Sequence, residues 1–204
     1  MMSTIIDNTI SVSINQFIGC NHIIAANVVT NDAEYHYRYA RDKLKRRCEN
    51  AEQVIIHNSL YSYLYSRDVI RGRWPEAEST IMKNIEHIYL YAKNIIKDRW
   101  KEAEQSIIKN PEYSYLYARD VIKGKWIEGE QSIMESAEYS YLYARDILKD
   151  RFIEGEQSII KDIHYSYIYA YDVVKGKWIE GEEIIKSDPY CYYEYCNRII
   201  NKLK

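Results

Sequence analysis

Tyr113-Ser114-Tyr115-Leu116-Tyr117-Ala118-Arg119-Asp120-Val121-Ile122 decides how this chain is read, because the stretch recurs. Near copies begin at Tyr35, Tyr61, His87, Tyr139 and Tyr165, and a worn one begins at Cys191. Each start lies 26 residues after the last, with no insertion between Tyr35 and the C-terminus. A fixed period of this size marks a repeat architecture.

Around that stretch the punctuation is helical. Asp32, Asn58, Asn84, Asn110, Ser136, Asp162 and Asp188 share one slot, and all are favoured N-caps. Pro111 and Pro189 follow, where a missing N–H costs nothing at the first helical position. Glu34, Glu86, Glu112 and Glu138 come next and complement the helix dipole. The pattern predicts a first helix per repeat, from Ser59 to Arg71 for instance. Gly72, Gly124 and Gly176 are expected to stop it, with Asp98 and Asp150 taking the left-handed position in the alternate repeats.

A second helix is expected after the Trp slot, which holds Cys48, Trp74, Trp100, Trp126, Phe152 and Trp178. Pro75 suits its first position, Glu76 and Glu78 suit its dipole, and it runs to about Lys83. Helices this short are marginal alone, so stacking must supply their burial. The expected fold is all-α: an α-solenoid of about seven 26-residue helical-hairpin repeats spanning 32–204, the last truncated. Residues 1–31 read as a tail followed by a degenerate capping repeat. Shifting the register by 26 places Ile14, Phe17 and Ile18 on the slots of Ala40, Lys43 and Leu44.

Tyr65-Ser66-Arg67-Asp68-Val69-Ile70-Arg71-Gly72-Arg73-Trp74-Pro75-Glu76-Ala77-Glu78 resembles the phage-encoded tandem repeats built on a YAxxVIKGRWPEAE consensus, loosely akin to Sel1 and tetratricopeptide arrays. The likeness covers roughly residues 32–204, and Trp126-Ile127-Glu128-Gly129-Glu130 departs from it by replacing the Pro and Ala. It implies a viral repeat scaffold without an assigned activity, and it brings no catalytic residues.

Composition narrows the function classes. A formal charge of -2 over 204 residues, with a pI near 6.2, gives no basic footprint and weighs against general nucleic-acid or anionic-membrane binding. No apolar run approaches the roughly 20 residues that a membrane helix needs. The first basic residue is Arg38, so a charged leader is not expected. Cys20, Cys48, Cys191 and Cys196 form no CxxC pair, and Cys48 and Cys196 fall on packing slots. A cytoplasmic location is expected, in the host cell if the protein is viral. The 22 tyrosines against 2 phenylalanines ask for half-buried surfaces where a ring packs and a hydroxyl finds a partner.

Comparing the repeats with one another separates core from edge. The Tyr63 slot and the Tyr65 slot are Tyr in all seven copies, and the slot after Tyr65 is always Ala, Ser or Cys. Those columns are expected to stack, with hydroxyls bonded between repeats. The Tyr61 slot tolerates His87 and Cys191 and is expected to be more open. Beside it run Arg41, Arg67, Lys93, Arg119 and Arg145, then Asp42, Asp68, Asn94, Asp120, Asp146 and Asp172. These columns have two readings: an Arg–Asp ladder joining successive repeats, or a binding ridge of Tyr and Arg. The ridge would consist of Tyr61, Arg67, His87, Lys93, Tyr113, Arg119, Tyr139 and Arg145.

Glu78 and its equivalents recur in every repeat, which argues for a structural bond to a Tyr hydroxyl or an Arg rather than for acid–base catalysis. The five histidines occupy five different slots, and neither a phosphate loop nor a nucleophile motif is visible. No enzyme, metal or cofactor is expected. The leading expectation is a scaffold for a protein or peptide partner along the first-helix face, with self-association through the terminal repeats possible. A nucleic-acid-binding array and a small-molecule-sequestering protein stand as alternatives.

Overall fold

A computed structural model describes residues 32–201, and the expected tail and capping repeat at 1–31 lie outside them. Every regular element among the described residues is helical. The chain forms two compact units, one ending at Ile96 and one beginning at Lys97.

In the first unit, α1 (Ala33–Arg38), α3 (Ser59–Tyr65) and α5 (Ile85–Tyr91) are first helices of their repeats, and α2 (Glu49–Ile55) and α4 (Pro75–Ile81) are second helices. Within this unit α1 packs against α2 and α3, and α3 packs against α4 and α5. The second unit repeats the scheme. Its second helices are α6 (Lys101–Ile107), α8 (Ile127–Ile133), α10 (Glu156–Ile159) and α12 (Ile179–Lys186). Its first helices are α7 (Pro111–Tyr117), α9 (Ala137–Tyr143), α11 (Ile163–Tyr169) and α13 (Pro189–Tyr195).

Every first helix starts as its cap residue dictates. Asn58, Asn84 and Asn110 accept through Oδ1 from the N–H three residues on, at 3.0–3.1 Å, and Ser136 and Asp162 do likewise. The aromatic slots then fill the core: Tyr65, Tyr91, Tyr117, Tyr143, Tyr169 and Tyr195 are fully buried, as are Trp74, Trp100, Trp126 and Trp178. Tyr117 packs its ring 5.1 Å from that of Trp126 in the same repeat, and Tyr169 lies 4.9 Å from Trp178.

The expected stop for the first helix is corrected in two ways. The α-helical hydrogen-bond pattern ends at the column tyrosine, and the chain continues as a wider π-helical turn, Ser66–Ile70 after Tyr65 and Ala118–Ile122 after Tyr117. Arg71 N–H and Gly72 N–H both donate to Ser66 O, five and six residues back. The left-handed residue is therefore not the glycine. It is the residue before: Lys45, Arg71, Lys97, Lys123, Lys149 and Lys175, with φ of 53–59°. The glycine slot supplies an N–H, as Gly124 does to Ala118 O and Asp150 does to Ala144 O, and where it holds Asp the carboxylate also accepts the next N–H, as Asp98 does from Arg99 and Asp150 from Arg151 at 2.7 Å. A long cation in the left-handed position costs backbone energy but lies beside the last carbonyls of the helix, where positive charge is favoured.

A different glycine is required for space. A Cβ on Gly129 would lie 2.2 Å from the Trp126 ring, and Gly155 and Gly181 are covered by Phe152 and Trp178 in the same way. The departure from the Pro-Glu-Ala wording thus reflects a ring laid across the start of the second helix.

Two substitutions discriminate this turn from the one the glycines suggested. Lys123→Gly should stabilise by up to about 1 kcal/mol by relieving the left-handed backbone. Gly124→Ala should be neutral or stabilising by less than about 1 kcal/mol, since its φ is not positive and no atom lies within 4 Å of the added methyl. Urea midpoints of both variants measure this, and a large loss from Gly124→Ala would contradict it.

Candidate functional site

The constant tyrosine columns define two polar seams. The inner one is buried. Tyr117 Oη accepts from Trp100 N–H at 2.7 Å and donates to Glu104 Oε1 at 3.1 Å. Tyr143 repeats this with Trp126 N–H and Glu130, and Tyr169 with Phe152 N–H and Glu156. In the first unit Tyr65 takes Cys48 N–H and Glu52, and Tyr91 takes Trp74 N–H and Glu78. Each hydroxyl therefore ties a first helix to the start of the second helix of the preceding repeat.

Arg73 completes the carboxylate of Glu78 from the other side through Nε and Nη2, both at 2.9 Å, and Arg99 holds Glu104 at 2.8 and 2.7 Å. Glu78 and Glu104 are thus each held by a tyrosine hydroxyl and a guanidinium. Burial pushes the Tyr91 hydroxyl up to about 12 and raises Tyr117 further, so both are protonated donors at neutral pH.

A second bond reinforces the seam. Ser62 Oγ donates to Ile55 O at 3.0 Å, Ser114 to Ile107 O at 3.1 Å and Ser166 to Ile159 O at 3.0 Å. These serines satisfy carbonyls at the end of the preceding second helix. The recurrence of Ser at this slot in four repeats was the signal that could have found them.

The outer seam lies on the edge expected to bind. Arg119 clasps its own neighbour Asp120 through Nε and Nη2 at 2.8 and 3.0 Å, and its Nη1 reaches Tyr115 Oη at 3.2 Å. Arg67 and Arg145 clasp Asp68 and Asp146 in the same bidentate way. Each guanidinium lies over a tyrosine ring one turn earlier, at 5.4 Å for Arg67 on Tyr63, 5.1 Å for Arg119 on Tyr115 and 5.0 Å for Arg145 on Tyr141. Lys93 donates to Tyr89 Oη at 3.0 Å and covers that ring.

The expected Arg–Asp ladder between repeats is corrected here. The arginine pairs with the adjacent aspartate of its own turn, and the link between repeats is the tyrosine hydroxyl. Tyr115 Oη donates to Asp146 at 2.7 Å and Tyr141 Oη to Asp172 at 2.6 Å, while Tyr37 reaches Asp68 and Asn94 reaches Tyr63. The geometry is dictated by spacing: residues i and i+1 diverge on a helix, but a long guanidinium can fold back to its neighbour while a rigid phenol spans the gap. The bonds from Arg67 and Tyr37 hold the Asp68 carboxyl below the usual carboxylate range.

The remaining candidate residues sit between the seams. Tyr61 is half-buried, donates to Glu34 at 2.8 Å and packs on the Tyr37 ring at 5.8 Å. Tyr139 packs on Tyr115 at 5.9 Å, and Tyr113 is half-buried. His87 stacks on Tyr63 with its Nδ1 2.7 Å from Ser59 Oγ, and burial lowers its pKa. Of the expected ridge, Tyr61, His87 and Tyr139 pack against a tyrosine of the preceding repeat. The arginine side chains keep 40–44% of their surface exposed.

No three His, Cys, Asp or Glu side chains among the described residues are grouped to hold a metal, and none of their helices is long and apolar enough to cross a membrane. Comparison of the chain with protein-family models, curated proteins and solved structures gives no match.

Two outcomes follow from the seams. Tyr117→Phe removes a hydroxyl that satisfies two buried groups and should cost about 1–3 kcal/mol, whereas Tyr115→Phe should cost under about 1.5 kcal/mol, both read from denaturant unfolding. His87 has a folded pKa below its unfolded value of about 6.5, so its contribution is complete above that pH and is lost as pH falls through it. Replacing it with the tyrosine that other repeats carry, His87→Tyr, should flatten the fall in stability as pH drops below about 6.5 relative to wild type.

Proposed function

We propose that the chain is an α-solenoid of about seven 26-residue helical-hairpin repeats with a degenerate N-terminal cap, and that it acts as a scaffold rather than as an enzyme. Its partner is a protein or peptide carrying carboxylates, held along the face of the first helices. The setting suggested by the resemblance of residues 65–78 is a phage or other viral accessory protein.

The observation that carries this reading is the preorganised cation row. Arg67, Arg119 and Arg145 are each clamped by a carboxylate on one side and a tyrosine ring beneath, with the rest of the guanidinium open to solvent. A clamped side chain has already lost its rotamer freedom, so contact with a partner costs less ordering. Arg and Tyr are also the residue types that dominate binding hot spots. An acidic peptide is favoured over nucleic acid because the chain, with a formal charge of -2, has no basic excess to neutralise a run of phosphates. Recurrence of the same Tyr, Arg and Asp columns from repeat to repeat speaks for binding over catalysis.

A random peptide library panned on the immobilised protein tests the reading. Retained sequences should be enriched in Asp and Glu, and Arg119→Ala with Arg145→Ala should abolish retention while leaving the helical circular dichroism intact. Retention that survives the double change, or a library that yields no sequence preference, would contradict it.

A further inference from the structure

One turn in the chain breaks the repeat in a single direction. Between the first and second helices of the first described repeat the sequence reads Lys43-Leu44-Lys45-Arg46-Arg47. Arg46 stands where the other repeats have Gly72, Asp98, Gly124, Asp150 and Gly176, and Lys43 stands where they have Val69, Ile95, Val121, Ile147, Val173 and Ile199. In two other repeats the side chain of this slot accepts the next N–H, as Asp98 does from Arg99 and Asp150 from Arg151, a bond that an arginine cannot make.

The consequence is a recess of 580 Å³ lined by Arg41, Lys45, Arg46, Arg47, Arg71, Asp68 and Val69. Five cations face one carboxylate, and that carboxylate is already held by Arg67 and by the Tyr37 hydroxyl. Arg41 and Arg47 spend Nε and Nη2 on Asp42 and Glu52. Lys45 and Arg71 are the two left-handed residues of the pair of turns, both exposed, and neither ion-pairs with a described residue. Two strained positions that glycine would relax are thus kept as cations on the wall of one cavity.

We propose that this recess is a site for a phosphate-bearing anion, built once, at the first described repeat. Guanidinium forks match the oxygens of a phosphate in pairs, which makes an arginine cluster a better fit for phosphate than for chloride or a single carboxylate. The wall offers no aromatic ring, so a nucleobase has nothing to stack on and recognition rests on the phosphate alone. The site goes beyond the peptide-binding row, which recurs in both units and does not need it.

The substitutions that test the site should leave the fold intact. Lys45→Gly and Arg71→Gly relieve left-handed backbone, and Arg46→Gly restores the residue of other repeats. Isothermal titration with sodium pyrophosphate in about 150 mM salt, where diffuse surface attraction is screened, should show saturable binding at one site. The triple glycine variant should weaken it by at least about tenfold, whereas Lys123→Gly with Lys149→Gly should change it by less than about twofold. Titration of a phosphoserine tripeptide in parallel separates the sources: tighter binding than pyrophosphate assigns the phosphate to a partner side chain, and weaker binding assigns it to a free anion. Absence of saturation, or equal losses in the two sets of variants, would overturn the site. Because Arg119 and Arg145 lie outside the recess, failure here leaves the peptide-retention result unaffected.

Discussion

The bond on which the rest of the structure depends is the one from a buried tyrosine hydroxyl to the backbone N–H that opens the preceding second helix. That N–H belongs to Trp100 at 2.7 Å from Tyr117, and to the equivalent residue for Tyr65, Tyr91, Tyr143, Tyr169 and Tyr195. Backbone donors at a helix start have no partner within the helix, and side-chain caps usually serve them. Here the Trp slot has no capping side chain of its own, because it is spent on the core. A phenol from the next repeat does the capping instead. One residue type thereby joins two helices, satisfies an orphan donor and fills the space beside an indole, which phenylalanine could not do.

That choice propagates outward. The hydroxyl must also donate, and the glutamate four residues into the second helix accepts that bond while an arginine or lysine from the turn neutralises its charge, as in Arg73–Glu78 and Lys125–Glu130. The small residue after the tyrosine sits at the head of a wide turn, and its carbonyl accepts two N–H groups, as Ser66 O does from Arg71 and Gly72. The turn then ends in a left-handed cation. The outer Tyr–Asp–Arg seam repeats the device at lower burial, with the hydroxyl now spanning repeats and the guanidinium lying across the ring.

Much of this was legible in the sequence, and for physical reasons. Caps such as Asn58 and Asn110 bond within their own helix, so local spacing is enough to find them. The invariance of the Tyr65 and Glu78 slots signalled a polar bond between them because two bulky polar columns cannot be buried unpaired. The left-handed residue was misplaced by one, since a Gly beside a Lys suggests the Gly. Only the five-residue reach of the Arg71 N–H shows that the turn is wide enough to put the lysine or arginine there. The partner of Arg119 was equally hidden: sequence order places Asp120 beside it but does not say whether a guanidinium folds back or reaches to the next repeat. The anion recess could have been found earlier, because Arg46 breaks a slot otherwise held by Gly and Asp. For the binding row, repetition of Tyr and Arg is legible but the chemistry of an occupant is not, since the same residues serve the seam.

Hydrogen exchange at the Trp100 amide tests the capping role of tyrosine most directly. In the wild-type protein this N–H should exchange as slowly as the interior amides of α6, although it lies ahead of the first helical turn. In Tyr117→Phe it should exchange as an open loop amide does, while the Trp126 and Phe152 amides, capped by Tyr143 and Tyr169, keep their protection. An unchanged Trp100 rate in that variant would mean that the donor is satisfied elsewhere and that the tyrosine hydroxyl does not cap the second helix.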